Sequence, residues 1–326
     1  NNGILFKSYS TQPLWYPFTG FRQGSNGLLS NVAQISNIWS ATTDNDLAYC
    51  MTLNDYGNVW TSSLLYKSHG LPIRCLKKNN DTTSIEHIDI SSIETANCYI
   101  ISHIGSYKYK AVKGNSIEPV GNISSVEVLW ESFGTNITPN IGDLISDVSY
   151  SDGYIQFSTS SVFKEGNAVI AAKDASGTIL WSWHIWMTDQ PEDQIYTNNA
   201  GTMMDRNLGA TSATPGDIGA LGLLYQWGRK DPFIGSSSIE NSIEAKSTIT
   251  WPSPIESSAS SGTITYATKN PTTFITSNDL NYDWYYTGDS NTDNLRWQSE
   301  KTIHDPCPSG WRVPDGGSNS IWAKAC

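Results

Sequence analysis

The sequence from Asp305 to Pro314 reads DPCPSGWRVP, and the sequence from Gly70 to Lys78 reads GLPIRCLKK. Each stretch places one cysteine, Cys307 or Cys75, in a short apolar setting punctuated by Pro or Gly. They look like two ends of one domain, yet they lie at opposite ends of the chain. Because the chain also starts without Met and stops at Cys326, we expect a piece of a longer protein, cut inside a folded unit.

The composition favours a β protein of the cell surface. A chain of 326 residues predicts two domains, each large enough for its own core. Charged residues make up only 16%, whereas 13 Trp and 16 Tyr favour strands. The net charge of -11 argues against a nucleic-acid partner, because phosphate binding needs a basic patch. No apolar run reaches the length of a membrane span.

The five cysteines leave the disulfide pairing open. They are Cys50, Cys75, Cys98, Cys307 and Cys326, and no two have Cys-x-x-Cys spacing, which argues against a zinc or redox motif. They form either one or two structural disulfides in an oxidising compartment or a set of unrelated buried thiols. By context the best pair is Cys75 and Cys307. A bridge across that long loop would contribute about 4–5 kcal/mol before strain in the chain-entropy model.

Composition and the spacing of turn residues divide the chain into three regions. Residues 1–79 indicate short β segments and turns, and a polar linker follows. Residues 80–190 contain turn signals such as Asp152-Gly153 and Ser176-Gly177, which fit tight hairpins. The spacing predicts a β-sandwich. Its seven strand candidates are 98–103, 107–112, 126–130, 144–150, 154–158, 168–172 and 179–187.

The last of these strands is rich in tryptophan. It carries Trp181, Trp183 and Trp186, and we expect the three rings to form one aromatic face with His184 on the opposite face. That face is either a ligand platform or, more simply, a core or interdomain surface. Beyond Pro191 the pattern predicts one short helix within 222–233, followed by a long surface excursion over 234–280.

Several blocks resemble the Fibrobacter-type major paralogous domain, a module of Bacteroidales surface proteins. The front of that module is similar to Met204–Ala210, Tyr225–Phe233 and Asp305–Pro314, and its back is similar to Gly3–Lys7, Trp39–Thr42 and Gly70–Lys78. Residues 95–186 resemble a β-sandwich that precedes the module in related surface and fimbria-associated proteins. The chain thus resembles such a protein with the module split across its two ends.

The resemblance implies a C-type-lectin-like fold, which is also similar to that of formylglycine-generating enzymes. In that fold a Gly-Trp-Arg-Val-Pro segment lies in the core and an Arg-Cys strand closes the domain, so by analogy Cys307 pairs with Cys75. The order departs from the family, because the back half (1–79) precedes the sandwich (80–190) and the front half (191–326) follows it. The halves pair either within one chain, which would bring Asn1 and Cys326 close together, or between chains as a head-to-tail swap. We favour the first.

No motif in the sequence indicates catalysis. None of the five histidines lies in a sequence motif of a serine or cysteine hydrolase; they are His69, His87, His103, His184 and His304. No phosphate-binding or zinc-protease motif is present. His304 next to Asp305 fits a turn better than a metal site. An enzyme of the formylglycine-generating type would need a reactive cysteine pair, for which Cys50 and Cys326 remain as candidates; they also suit a second disulfide.

Two loose polar clusters are candidate calcium sites, because calcium binding needs clustered carboxylates and amides. Calcium is the one cofactor that the sequence leaves open. One contains Asp283, Asp289, Asp293 and Asn294, and the other contains Asp44, Asn45 and Asp46. Neither matches a defined calcium motif, and solvated loops are the simpler interpretation. Within the first cluster, Trp284, Tyr285 and Tyr286 are the candidates for stacking on sugar faces, together with Asp283 and Asp289, provided that the rings are exposed.

The sequence therefore predicts a mainly β protein with minor α content, made of a β-sandwich and a C-type-lectin-like α+β domain. The expected function is non-catalytic adhesion or assembly outside the cell, associated with the outer membrane. A glycan, a host protein or a bacterial surface protein is the expected partner, and head-to-tail self-association is a further expectation. The alternatives are an enzyme of the formylglycine-generating type and a purely structural spacer in a tandem repeat array.

Overall fold

The structure, a computed structural model, describes residues 2–6, 14–77, 89–278, 282–288 and 294–325. Within these ranges the chain is mainly β, with two α-helices of only six and five residues. This confirms the expected class. Strand-favouring residues and frequent turns dominate the sequence, and neither helix reaches the length at which an isolated helix would be stable by itself.

The N-terminal region consists of short strands around one longer antiparallel sheet. That sheet has the order β5-β6-β7, and its first hairpin turns at Asn45, where φ is 50°. The left-handed conformation suits Asn in a tight two-residue hairpin. The strands are β1 (Gly3–Phe6), β2 (Leu14–Pro17), β3 (Phe21–Arg22), β4 (Leu29–Ser30), β5 (Ile35–Asp44), β6 (Leu47–Asn54), β7 (Val59–Tyr66), β8 (Gly70–Leu71) and β9 (Leu76–Lys77).

The middle region contains all seven predicted strands. The Asp152-Gly153 turn is a two-residue hairpin with φ positive at both residues, as predicted, and Gly177 has φ 82° in the next predicted turn. The strands are β10 (Cys98–Ile101), β11 (Ser106–Lys110), β12 (Ser125–Ser132), β13 (Ile145–Ser151), β14 (Tyr154–Thr159), β15 (Gly166–Lys173) and β16 (Ile179–Met187).

These strands form two sheets that enclose a common apolar cluster. One sheet has the order β10-β16-β15-β12, with β10 parallel to β16, and the other has the order β11-β14-β13. Ile101, Ile170 and Trp183 of the first sheet meet Tyr109 and Phe157 of the second in that cluster. Side chains alternate between the two faces of each sheet, and β15 and β16 are buried on both faces because the four-stranded sheet also contributes to a second apolar cluster.

The C-terminal region has few regular elements. The predicted helix within 222–233 is wrong, because Leu224 and Phe233 exchange backbone hydrogen bonds across a turn instead. The predicted surface excursion differs as well, since 264–269 form a helix capped by Thr263 and Ile275 is buried. The elements are β17 (Asp193–Tyr196), β18 (Gly201–Met204), β19 (Tyr225–Gln226), β20 (Ile255–Glu256), α1 (Ile264–Lys269), β21 (Ile275–Thr276), β22 (Trp311–Arg312) and α2 (Ile321–Ala325).

Strands from the two ends of the chain share two sheets. In the first, β9 lies between β18 and β22; in the second, β8 lies between β19 and β3. Tryptophan side chains reinforce the join, because the Nε1–H of Trp39 donates to the carbonyl of Tyr225 and that of Trp227 donates to the carbonyl of Ser40. A buried Trp N–H needs such a partner. The predicted contact between Asn1 and Cys326 lies outside the described residues.

Candidate functional site

The cysteines secure the scaffold. Cys75 and Cys307 form a disulfide with a Cα–Cα distance of 5.9 Å, which confirms the predicted pair. Cys50 and Cys98 are free and buried. Burial raises the pKa of Cys50 to about 12 and raises that of Cys98 as well, so neither thiol has the thiolate character that a nucleophile needs. Cys326 lies outside the described residues.

Trp284, the leading candidate for stacking on a sugar, does not lie at the surface. Trp284 is fully buried, and its Nε1–H donates to the carbonyl of Trp227 at 2.7 Å. The guanidinium of Arg296 lies over the Trp284 ring at 4.8 Å. Trp284 therefore cannot be an exposed stacking surface. Burying the ring removes apolar surface from water, and the cation adds a favourable cation–π contact. Both effects stabilise the folded state with Trp284 inside.

Asp283 is likewise an interior residue. Both of its carboxylate oxygens accept hydrogen bonds from Arg296, and both side chains are almost completely buried. A carboxylate committed to an internal ion pair is a poor ligand for calcium or a sugar. Tyr285 and Tyr286 are partly exposed and keep their place as binding candidates. Asp289 and Asp293 lie outside the described residues.

The two predicted polar clusters meet at one lysine. The Nζ of the buried Lys67 donates to the carbonyl oxygen of Asn45 at 2.7 Å and to the side-chain oxygen of Asn294. The ammonium group of Lys67 thus lies between the two loops and bonds to an oxygen of each. Among the residues that the structure describes, no group of three His, Cys, Asp or Glu side chains could hold a metal ion.

Beside Lys67 three rings form a column that the sequence did not reveal. The rings of Tyr66 and Tyr282 are 4.1 Å apart with 13° between their planes, and His69 also stacks on Tyr66 at 5.8 Å. Tyr282 is 43% exposed. The residues come from the end of β7 and from the loop before Trp284, so spacing along the chain gave no signal. Tyr282 is the open end of this ring column.

The backbone holds Tyr282 in an uncommon conformation. Its φ is 52°, in the left-handed region that bulky residues rarely adopt, and its carbonyl accepts the N–H of Ser68 at 3.2 Å. The turn sends Asp283 and Trp284 into the core while leaving the Tyr282 ring at the surface. Such conformations cost about 1–3 kcal/mol and persist only where the surroundings enforce them.

His69 is a neutral member of the column. Burial lowers its pKa to about 4, and its Nδ1 accepts the N–H of Gly24 at 2.8 Å. The proton of the neutral ring is therefore on Nε2. At physiological pH the imidazole of His69 is therefore uncharged, which suits a neutral ligand.

The tryptophan strand differs from the prediction in its register. Trp181 and Trp183 point into the cluster between the two sheets of the middle region, whereas Trp186 lies in the cluster shared with the two ends of the chain. Positions 181 and 183 share a parity that position 186 does not, so the three rings cannot form one face. His184 lies on the same side as Trp186 and bonds to Asn167 at 2.9 Å. All three rings are buried, as the core interpretation requires.

A buried Ser–Lys–Asp group looks like a nucleophile with its base. The Nζ of Lys230 lies 2.5 Å from the Oγ of Ser182 and 2.6 Å from the carboxylate of Asp231. Burial lowers the pKa of Lys230, although the adjacent Asp231 carboxylate opposes that shift. The three side chains are nearly inaccessible, and the neighbouring cavity of about 10 Å³ has room for roughly one water. No substrate could reach the hydroxyl, so the group is structural. His304 lies in a turn beside this cavity.

Comparisons with known proteins found no match to this chain among family models, curated proteins or solved structures. No helix in the described ranges is long and apolar enough to span a membrane.

Proposed function

We propose that this chain is a non-catalytic extracellular module of a bacterial surface or fimbria-associated protein, which serves adhesion by binding glycans. Its middle region would be a β-sandwich and its two ends together a C-type-lectin-like domain. The pairing of β22 with β9 supports the second assignment, because these strands contain the Trp-Arg and Cys-Leu-Lys neighbourhoods that the resemblance puts together. The disulfide fits an oxidising compartment.

The ring column carries this proposal. The outer face of Tyr282 is a flat, electron-rich surface, and the C–H face of a pyranose packs on such a ring. The stacked Tyr66 and the turn at Tyr282 fix the ring in advance, which reduces the entropy lost on binding. Polar side chains and backbone groups lie near the column around Lys67, and the partly exposed Tyr285 and Tyr286 follow Tyr282 in the chain. A neutral hexose is the ligand class that this combination fits.

A glycan array followed by titration tests the proposal. The wild-type protein and the variants Tyr282→Ala, Tyr66→Ala and Tyr56→Ala would be compared on the best glycan. Tyr56 is the matched control, because it is an exposed tyrosine outside the column. We expect binding about tenfold weaker for both column variants, or about 1.4 kcal/mol, and unchanged for Tyr56→Ala.

Other outcomes would assign other functions. Binding that is unchanged in all three variants would place the site elsewhere. Binding to a host or bacterial surface protein without glycans would replace the sugar with a protein partner, and no binding to either would favour the structural spacer. A titration of free thiols tests the enzyme alternative. A thiol that reacts rapidly at neutral pH would support a formylglycine-generating activity, against the raised pKa values of Cys50 and Cys98.

A further inference from the structure

A buried arginine in the C-terminal region has no carboxylate partner among the residues that the structure describes. Arg229 is 2% exposed, and its Nε has no hydrogen-bond partner in the described ranges. Its two Nη groups donate only to uncharged oxygens, namely the side-chain amide of Gln226 and the carbonyls of Thr273, Asn270 and Pro271. A buried donor without a partner indicates a bound water or ion.

A cavity of about 10 Å³ lies against this arginine. Residues 228–231 line it, together with Ala267 and Thr268 of α1, whereas none of the four residues that bind the Nη groups does. The cavity therefore adjoins the part of the Arg229 side chain that carries Nε. Its size admits one water molecule or one monatomic ion and excludes larger anions such as phosphate or a carboxylate.

The charges around the cavity leave one positive charge without a counter-charge. Asp231 is the one carboxylate in the lining, and it forms an ion pair with Lys230. The next pair outward, Arg296 and Asp283, is likewise neutral as a unit. Burial lowers the pKa of Arg229 to about 10 despite the opposing charge of Asp231, so the guanidinium is still charged at neutral pH. A water molecule could satisfy Nε–H but could not balance this buried charge.

The turn that forms one wall of the cavity supplies further donors. The backbone N–H groups of Lys230 and Asp231 form no hydrogen bond to any described residue, and Thr268 adds a hydroxyl from α1. Gly228, which precedes them, has φ 78°, a conformation that few other residues adopt. Successive N–H groups in a turn of this kind form concavities that bind anions.

We propose that this cavity is an anion site that takes chloride, held by the Nε–H of Arg229 and the backbone N–H groups of Lys230 and Asp231. A monatomic anion is the class of ligand that both the size and the charge of the cavity permit. The ion neutralises Arg229 and fixes the turn at 228–231 against α1. This site does not involve the ring column, so it stands or fails independently of glycan binding.

Denaturant unfolding in different sodium salts tests whether chloride binds. The protein would be unfolded in sodium fluoride, chloride and iodide at equal ionic strength. We expect the unfolding equilibrium constant to be about tenfold lower in chloride than in the other two salts, which corresponds to chloride at about nine times its Kd. A general salt effect would instead change steadily from fluoride to iodide, because it follows the exclusion of each ion from the protein surface.

Two variants of α1 locate the effect. Ala267→Val fills the cavity with two carbon atoms and leaves Arg229 in place, since Ala267 is buried in the lining. Thr265→Val is the matched control, because it introduces the same side chain at an exposed position of the same helix. We expect the preference for chloride to disappear in Ala267→Val and to persist in Thr265→Val.

Bromide shows the ion directly, because it has the charge of chloride and a strong anomalous scattering signal. Crystals of the protein would be soaked in sodium bromide and measured at the bromine absorption edge. We expect an anomalous peak in the cavity, within hydrogen-bond distance of the Nε of Arg229. The same soak of Ala267→Val crystals should give no peak there.

Three results would overturn the proposal. One is a cavity that contains water and no anomalous peak after the bromide soak. Another is stability that changes steadily from fluoride to iodide with no maximum at chloride. The third is a preference for chloride that survives in Ala267→Val, which would place the ion elsewhere. Should Ala267→Val fail to fold, the salt series and the bromide soak of the wild-type protein decide the outcome.

Discussion

The middle of the chain and its two ends reach a buried core by different means. In the middle, strands of up to nine residues direct alternate side chains to opposite faces of a sheet, and the cluster between the sheets is aliphatic and aromatic. At the ends many strands have only two residues, and buried cations replace the missing ladders. These cations include Lys67, Arg74, Arg229, Lys230 and Arg296.

The cations of the ends act mainly through backbone carbonyls. Arg229 donates to the carbonyls of Thr273 and Asn270, and Lys230 donates to that of Ser182. Irregular segments expose carbonyls that no strand neighbour satisfies, and a buried long-chain cation can satisfy several of them at once. Buried Arg and Lys side chains can thus stabilise segments with short strands, whereas long strands are stabilised by the packing of their alternate apolar side chains.

The largest effect should follow from breaking a buried ion pair at the ends. Arg296→Met leaves the Asp283 carboxylate buried without its cation, which should cost about 3–5 kcal/mol of the free energy of unfolding. Denaturant unfolding measures this, and the double variant Arg296→Met/Asp283→Asn should recover part of the loss. A single-variant cost below about 1 kcal/mol would mean that the cations of the ends do not stabilise the fold as described.

An intermediate effect should appear where the middle contacts the ends. Burial lowers the pKa of His184 to about 3, so the folded state disfavours its protonation. The unfolded histidine has a pKa near 6.5, so the contribution of this residue is complete above pH 6.5 and falls as the pH decreases toward 3. At pH 4.5 the loss should be about 2–3 kcal/mol relative to pH 7.5.

The control for this pH dependence is the variant His184→Gln. Burial raises the pKa of Glu131 and Asp305, and groups of that kind gain stability in acid rather than losing it. The difference between wild type and His184→Gln removes their contribution. If that difference does not change between pH 7.5 and pH 4.5, His184 is not held neutral in the core.

The smallest effect should come from trimming the core of the middle. Ile170→Val deletes one methylene from the fully buried side chain of β15 and should cost about 0.5–1.5 kcal/mol. Thermal and denaturant unfolding would both detect this. A cost comparable with that of Arg296→Met would remove the distinction between a core built by packing and one that depends on buried ion pairs.

The same contrast explains what the sequence could predict. The seven strands of the middle were predictable because alternation and turn residues are local signals. One feature of these strands was predicted wrongly, namely that Trp186 shares a face with Trp181 and Trp183. The sequence already excludes this, because Trp186 is an odd number of residues from the other two. The two ends of the chain lack a regular alternation of apolar residues, and the helix predicted within 222–233 was wrong. The disulfide between the ends was predicted from the context of its two cysteines and from the resemblance.

The candidate site was predictable only in its neighbourhood. The loop near Asp283 was identified by its aromatic and acidic residues, but Trp284 and Asp283 turned out to face inward. Asp283 is held by Arg296 and Trp284 by the carbonyl of Trp227. Neither partner can be identified from the sequence alone. Tyr66 and Tyr282 meet across more than 200 residues, so only the fold brings their rings together.

The central structural claim is that the two ends of the same chain fold together, and mixed isotopic labelling tests it most directly. Unlabelled and ¹⁵N-labelled protein would be mixed, reduced, unfolded, refolded under oxidising conditions and digested without reduction. Mass spectrometry of the Cys75–Cys307 peptide pair then reads the partner of each cysteine. We predict only fully light and fully heavy pairs. Light–heavy hybrids in the proportion expected for random exchange would contradict the account and indicate a swapped assembly.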